Sequence, residues 1–324
     1  MSDARLRLGV VGAGSFGRNH LRVIAESHRA VLAAVVDIDG ERARQAGEQY
    51  GCQAFTDWRE LSGKVDAAVV ATPTVTNRGI GCALLEAGIH VLVEKPIAPG
   101  MEDAGKLCRS AESAGRLLQV GHLERFNPAV LALVPMVRLP LFFEIHRMSV
   151  FAPRSLDVDV VLDLMIHDLD IVLSMVGKMP EEVRAAGIRI LSSKVDIANV
   201  RLAFPGGCIA NLTASRASTE KVRKLRLFQP HQYISIDYAR QDGVVITVGA
   251  GQQIGFQPLV AVKREPLASQ LDSFLDAIQS GSQPLVSGRE ASRTLQLALE
   301  ILEKIEQHGQ VVQEALTSWE AGTS

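Results

Sequence analysis

Aromatic side chains are scarce in these 324 residues, at 5% with two Trp and three Tyr. That scarcity argues against a base-stacking surface for nucleic acid. An excess of one charge is missing too: 34 basic against 36 acidic residues leave a formal net charge of −2. No nucleic-acid or membrane-surface partner is implied. The four cysteines (Cys52, Cys82, Cys108, Cys208) are widely spaced, with no CxxC or Cys/His cluster. They read as reduced, buried thiols of a cytoplasmic protein, and no metal site is expected. No apolar run reaches membrane-spanning length. MSDAR leads straight into a strand-like run without an apolar signal core. What remains is an ordinary composition, 47% hydrophobic and 22% charged, with length for about two domains and a core in each.

Arg5 to Val11 is strand-like and delivers the chain into Gly12-Ala-Gly14-Ser15-Phe16-Gly17. In this dinucleotide fingerprint the first glycine permits a tight turn. The second admits the pyrophosphate to the backbone, and the third lets the helix close on the strand. The helix expected over residues 15–27 would aim its N-terminal N–H groups at the phosphates. A second apolar run, Val31 to Val36, ends in Asp37, 20 residues past Gly17. A carboxylate there accepts from a ribose 2′-hydroxyl and repels a 2′-phosphate, which favours NAD over NADP. A turn aspartate at a strand end is the plainer alternative.

Strand and helix signals then alternate to Val120, the pattern of parallel strands with crossover helices in a doubly wound sheet. Ligands of such sheets lie beyond the carboxyl ends of the strands. The residues delivered there are Thr72-Pro73, followed by Asn77, then Glu94-Lys95-Pro96 and Gly121-His122. The proline pushes Lys95 out of the helical region. An ammonium at the mouth of a cofactor cleft can stabilise an oxyanion that develops during hydride transfer. Just beyond come Glu124, Arg125 and Asn127; Arg125 could hold a carboxylate, a phosphate or a cofactor amide, or form only a loop salt bridge.

Asp157 to Val176, DVDVVLDLMIHDLDIVLSMV, is apolar almost all round at the helical period. Asp159, Asp163, His167 and Asp170 fall on one stripe, either the solvated edge of an amphipathic helix or a polar face turned to a cleft. Arg154 precedes it. Six strand-like runs follow between Val183 and Val248, with turn signals at Pro205-Gly206-Gly207 and Gln241-Asp242-Gly243. Runs joined this tightly are antiparallel. One sheet face would cover the helix and the other could be a subunit interface. Arg216, Lys221, Arg223, Lys224 and Arg226 form a basic cluster, a solvated strand edge or a diphosphate contact. Leu267 to Gln279 and Gly288 to Glu306 read as amphipathic helices, and the tail from Gly309 has little pattern.

GAGSFG, ATPT, VLVEKP and the DLMIHDLD helix, in this order and spacing, resemble the glucose–fructose oxidoreductase/inositol dehydrogenase (Gfo/Idh/MocA) family across essentially the whole chain. The resemblance implies an α/β architecture. An NAD-binding Rossmann domain, residues 1–122, precedes an α/β domain with an open, mainly antiparallel sheet, residues 123–324, for substrate binding and oligomerisation as a dimer or tetramer. It also implies a catalytic set of Lys95, Asp163 and His167. From their places past the strand end and before the central helix, His122, Arg125, Asn127 and Arg154 are expected as substrate contacts. Two departures stand out: many members carry histidine where this chain has Asn77, and glycine where it has Met165. Gly121-His-Leu-Glu-Arg-Phe-Asn-Pro128 together with LMIHDLDI resembles members that oxidise a nucleotide sugar, such as UDP-N-acetylglucosamine at its 3-position.

The expected chemistry is oxidation of a secondary alcohol. His167 would take the hydroxyl proton, Asp163 would bind a substrate hydroxyl or tune the imidazole, and Lys95 would stabilise the reacting oxygen. An inositol or free-sugar dehydrogenase is the alternative substrate reading. A non-catalytic NAD(H) sensor is the rival from another class, though a sensor needs only the glycine loop.

Overall fold

The computed structural model describes residues 5–151 and 158–322. The chain folds as two compact units, Met1–Phe126 with Arg264–Leu295, and Asn127–Lys263 with Gln296–Ser324. The first unit thus reaches a few residues past 122 and takes back a segment from near the C-terminus.

In the first unit, six parallel strands stand in the order β3-β2-β1-β4-β5-β6. They are β1 (Leu6–Val11), β2 (Ala30–Val36), β3 (Gln53–Phe55), β4 (Ala67–Val70), β5 (His90–Glu94) and β6 (Leu118–Gly121). The crossover helices are α1 (Ser15–Glu26), α2 (Gly40–Tyr50), α3 (Asn77–Glu86) and α4 (Met101–Ala114). All four residues of β4 and the central three of β5 are buried, as expected of strands covered on both faces. Asp39 caps α2 by accepting from the Glu41 and Arg42 N–H groups, and Gly51 in the left-handed region ends it. The order reverses at β1, so the crevice between β1 and β4 is the topological switch point.

The returning segment supplies α7 (Pro266–Ser280), whose Leu267, Leu271, Phe274 and Leu275 join Leu8, Val10, Leu21 and Ile24 in one core. Gln119 of β6 donates to the Gln270 carbonyl at 3.2 Å. Next, Ser287 and Glu290 exchange hydrogen bonds in a capping box that starts the long α8 (Gly288–Gly322). The apolar period alone marks α7 as an amphipathic helix, but which sheet it covers is a long-range matter.

The second unit is built on eight strands in the order β14-β13-β12-β11-β7-β10-β9-β8. In chain order these are Phe142–Val150, Glu182–Ile188, Ile197–Ala203, Ile209–Ser218, Val222–Gln229, Gln232–Asp237, Asp242–Val248 and Ile254–Leu259, β7 to β14. Every pairing is antiparallel except β7 with β10. Pro205-Gly206-Gly207 and Gln241 turn the chain where expected, with both glycines and Gln241 at positive φ. One face is core: Phe143, Ile145, Val200, Leu202, Leu212, Leu225 and Ile234 pack with α5 (Pro128–Leu133), α6 (Ile166–Val176) and the Leu297–Ile305 stretch of α8. Among the described residues no helix is long and apolar enough to cross a membrane.

Candidate active site

The carboxyl edge of the first sheet carries the glycine loop. Gly12 sits at φ +95°, and a Cβ there would lie 2.7 Å from the Ala71 carbonyl oxygen at the end of β4. A Cβ on Gly17 would lie 1.7 Å from the Gly12 carbonyl oxygen, so the third glycine is what allows α1 to close on the loop. Gly14 differs: no atom lies within 4 Å of a Cβ built there. It stands before α1 with no side chain capping the helix. Open space against uncapped N–H groups is the cradle a pyrophosphate requires, so these residues fit a dinucleotide. Ser15 and Phe16 are exposed on the same turn.

Asp37 is 7% exposed at the end of β2. Its carboxylate accepts from the Ala13 N–H at 2.8 Å and the Asp39 N–H at 3.0 Å, tying β2 to the glycine loop. Arg42 lies 3.4 Å from both of its oxygens. Beyond β4, the Thr76 hydroxyl lies 2.7 Å from both the Pro73 carbonyl, to which it can donate, and the Thr72 hydroxyl, from which it can accept. Buried Asn77 donates to the Pro96 carbonyl at 3.1 Å, bracing the turn after β5.

Glu94 closes β5 and is held twice over. Its carboxylate meets His20 Nε2 of α1 at 2.7 Å and accepts from the Lys95 N–H at 3.3 Å. Gly121 is needed beside it, since a Cβ there would lie 2.8 Å from Glu94 Oε2. Lys95, half-buried, therefore leaves the sheet from a braced strand end, and its peptide bond to Pro96 is cis. His122 is buried next to Gly121. Arg125 donates to the Leu285 carbonyl at 3.2 Å and lies 3.7 Å from Glu290, the loop-type contacts the sequence left open.

In the second unit, Asn127 caps α5 through the Ala129 N–H and donates to the Tyr238 carbonyl at 2.9 Å. Arg154 lies outside the described residues. The polar stripe does not stay together. Val161–Met165 forms a π-helical turn, with the Ile166 N–H reaching back to Val161, before α6 continues. Asp163 in that turn and His167 at the start of α6 are half-buried, whereas Asp170 is buried and Asp159 accepts from the Val195 N–H at 2.8 Å. π-turns recur at functional sites because the extra residue re-aims its neighbours. Next to His167 in the chain, the Asp168 carboxylate receives two N–H groups of the Arg147 guanidinium, at 2.7 and 2.8 Å. The pair is buried, and Arg147 stacks over the Tyr238 ring at 5.0 Å. The turn before α6 is pinned as well. Arg216 donates to the Val158 carbonyl and stands 3.7 Å from fully buried Asp196. Burial alone would lift the Asp196 carboxyl, but donation from Ile190, Leu191 and Ser192 holds it at about 2.

Residues here that were not singled out from sequence include His20, Arg42, Arg147, Asp168 and Asp196. Arg147 could have been found, because it alternates in phase with buried Phe143 and Ile145, where a cation needs an internal partner. The basic cluster is no single patch: Arg216 turns to the Val158–Asp196 network, while Arg226 pairs with Glu144 at 2.8 Å. Among the described residues no group of His, Cys, Asp and Glu could hold a metal ion.

Residues 6–122 match the Gfo/Idh/MocA oxidoreductase family with an NAD-binding Rossmann fold, and residues 144–231 match the Gfo/Idh/MocA C-terminal domain. A UDP-N-acetylglucosamine 3-dehydrogenase from Acidithiobacillus ferrooxidans is 35% identical over 93% of this chain and 97% of its own length. A solved structure of that enzyme superposes with a TM-score of 0.89 at 33% identity, covering 94% of this chain and 99% of the other. A myo-inositol 2-dehydrogenase from Thermotoga maritima is 27% identical, again over 93% of this chain and 97% of its own. With glycine loop, braced EKP turn and both domain types all accounted for, this chain belongs to the Gfo/Idh/MocA family of oxidoreductases.

Proposed function

We propose that the protein is an NAD-dependent dehydrogenase that oxidises a secondary hydroxyl of a nucleotide sugar, with the 3-position of UDP-N-acetylglucosamine as the leading substrate. The observation that carries this reading is Lys95. It leaves β5 at the carboxyl edge that also holds the glycine loop, in a chain 35% identical to a dehydrogenase of that substrate.

When bound, the nicotinamide supplies the hydride acceptor. Lys95 hydrogen-bonds the reacting oxygen and stabilises its developing negative charge. His167 accepts the hydroxyl proton, and Asp163 holds a neighbouring hydroxyl or orients the imidazole. The Arg147–Asp168 pair keeps the segment carrying His167 from rotating. His122, Arg125, Asn127 and Arg154 remain assigned to substrate, with Arg125 and Asn127 also serving the scaffold.

The myo-inositol 2-dehydrogenase relative keeps an inositol substrate as the second reading. Purified protein incubated with NAD⁺ and a panel of UDP-sugars, inositols and free sugars separates the two by absorbance of the reduced cofactor. Reduction with UDP-N-acetylglucosamine alone is expected. Turnover confined to an inositol would replace the nucleotide-sugar reading, and binding of NADH without turnover of any member would favour the sensor.

A further inference from the structure

We propose that Arg42 is a second specificity-determining residue for the cofactor, setting how strongly Asp37 rejects a ribose that carries a 2′-phosphate. The proposal rests on the dinucleotide reading above.

Taken alone, Asp37 predicts strong rejection, because a 2′-phosphate brings about −1.5 to −2 charges beside a carboxylate. The carboxylate does not stand alone. Arg42 Nη1 is 3.4 Å from both of its oxygens, and Arg42 also reaches Asp39 at 3.3 Å. Arg42 is half exposed on the first turn of α2, whose backbone is already capped by Asp39, so its guanidinium can turn without disturbing the helix.

A cavity of about 560 Å³ opens beside the glycine loop, lined by Ala13, Gly14, Arg18, Arg42, Asp39 and Glu41, among others. It also holds a second guanidinium, that of Arg18 on α1. The charge of Glu41 is engaged by Arg44 at 2.7 Å and by Gln45 at 2.7 Å. Arg42 thus offsets part of the Asp37 charge from the rim of a cavity that Arg18 also lines. A guanidinium is suited to bidentate phosphate contact, and Arg42 can exchange its long contact with Asp37 for one with a 2′-phosphate. Discrimination against the phosphorylated cofactor is then moderate, and it is Arg42 that moderates it.

Fluorescence titration of NADH and NADPH into the full-length protein tests this without any substrate. Arg42→Ala is expected to leave NADH affinity within about threefold and to weaken NADPH about tenfold, raising the NADH preference. Arg42→Lys should restore most of the wild-type ratio, since it keeps the charge. Asp37→Ala should shift the preference toward NADPH, because the carboxylate nearest Arg42 Nη1 that repels the phosphate is gone while Arg42 remains. A preference unchanged within about twofold in Arg42→Ala overturns the proposal. A wild-type chain that binds neither nucleotide overturns the cofactor reading beneath it.

Discussion

Lys95 and His167 of the candidate catalytic set each stand next to a support that can be removed separately, the Glu94 brace for one and the Arg147–Asp168 pair for the other. His167→Ala is expected to lower kcat by about 10²–10⁴-fold, with the NADH dissociation constant within about twofold of wild type. Loss of NADH affinity instead would mark the segment as architectural. The buried Arg147–Asp168 pair behaves differently, because removing one partner strands a charge in the core. Asp168→Ala should cost about 3–5 kcal/mol of unfolding free energy in a urea titration. An intact midpoint would show that Arg147 finds another anion.

Among the elements, the glycine loop separates fold from function within six residues. Gly17→Ala forces a methyl group to within 1.7 Å of the Gly12 carbonyl. It should lower the melting temperature sharply whether or not cofactor is present. Gly14→Ala meets no protein atom, so it should leave melting unchanged and weaken NADH binding about tenfold or more; equal effects of the two substitutions on melting would refute that division. The loop that pins the turn before α6 has an acid signature. Asp196 titrates at about 2 rather than its ordinary 3.8. Its stabilising contribution is complete above about pH 4 and is lost as the pH falls toward 2. Asp196→Asn should flatten the unfolding free energy between those limits, and an unaltered acid slope would remove Asp196 from the account.

For the whole molecule, the second sheet offers one face to the core and leaves the other open. Ile254 is 74% and Phe256 73% exposed, Val248 is exposed across from Ile254, and exposed Phe228 lies 4.8 Å from the ring of Tyr233. A strand as apolar as β14 at a sheet edge is costly to leave in water. We therefore propose a second copy of this chain as its cover, giving a dimer or tetramer through this sheet. Light scattering should report an oligomer for the native chain and a monomer for the double variant Ile254→Asp, Phe256→Asp. A native monomer at micromolar concentration would reject the assignment.

The Rossmann half was largely readable from the residues, since its signals are local: period, glycine spacing and strand ends each depend on near neighbours. The turn at 205–207 and the left-handed Gln241 followed for the same reason, while Asp242 and Gly243, expected in that second turn, already belong to β13. Three-residue β3 and the exposed β14 were missed, having too little burial to leave an alternation. The tail after Gly309 continues α8 as far as 322. Other outcomes rest on partners distant in sequence. The chain alone could not say that Asp159 would be drawn to Val195, that Asp168 would find Arg147, or that 264–295 would pack with the first unit. Side-chain type and spacing decide which face is apolar. Only folding decides which charges meet, because an ion pair or hydrogen bond forms between groups that the whole topology brings within about 3 Å.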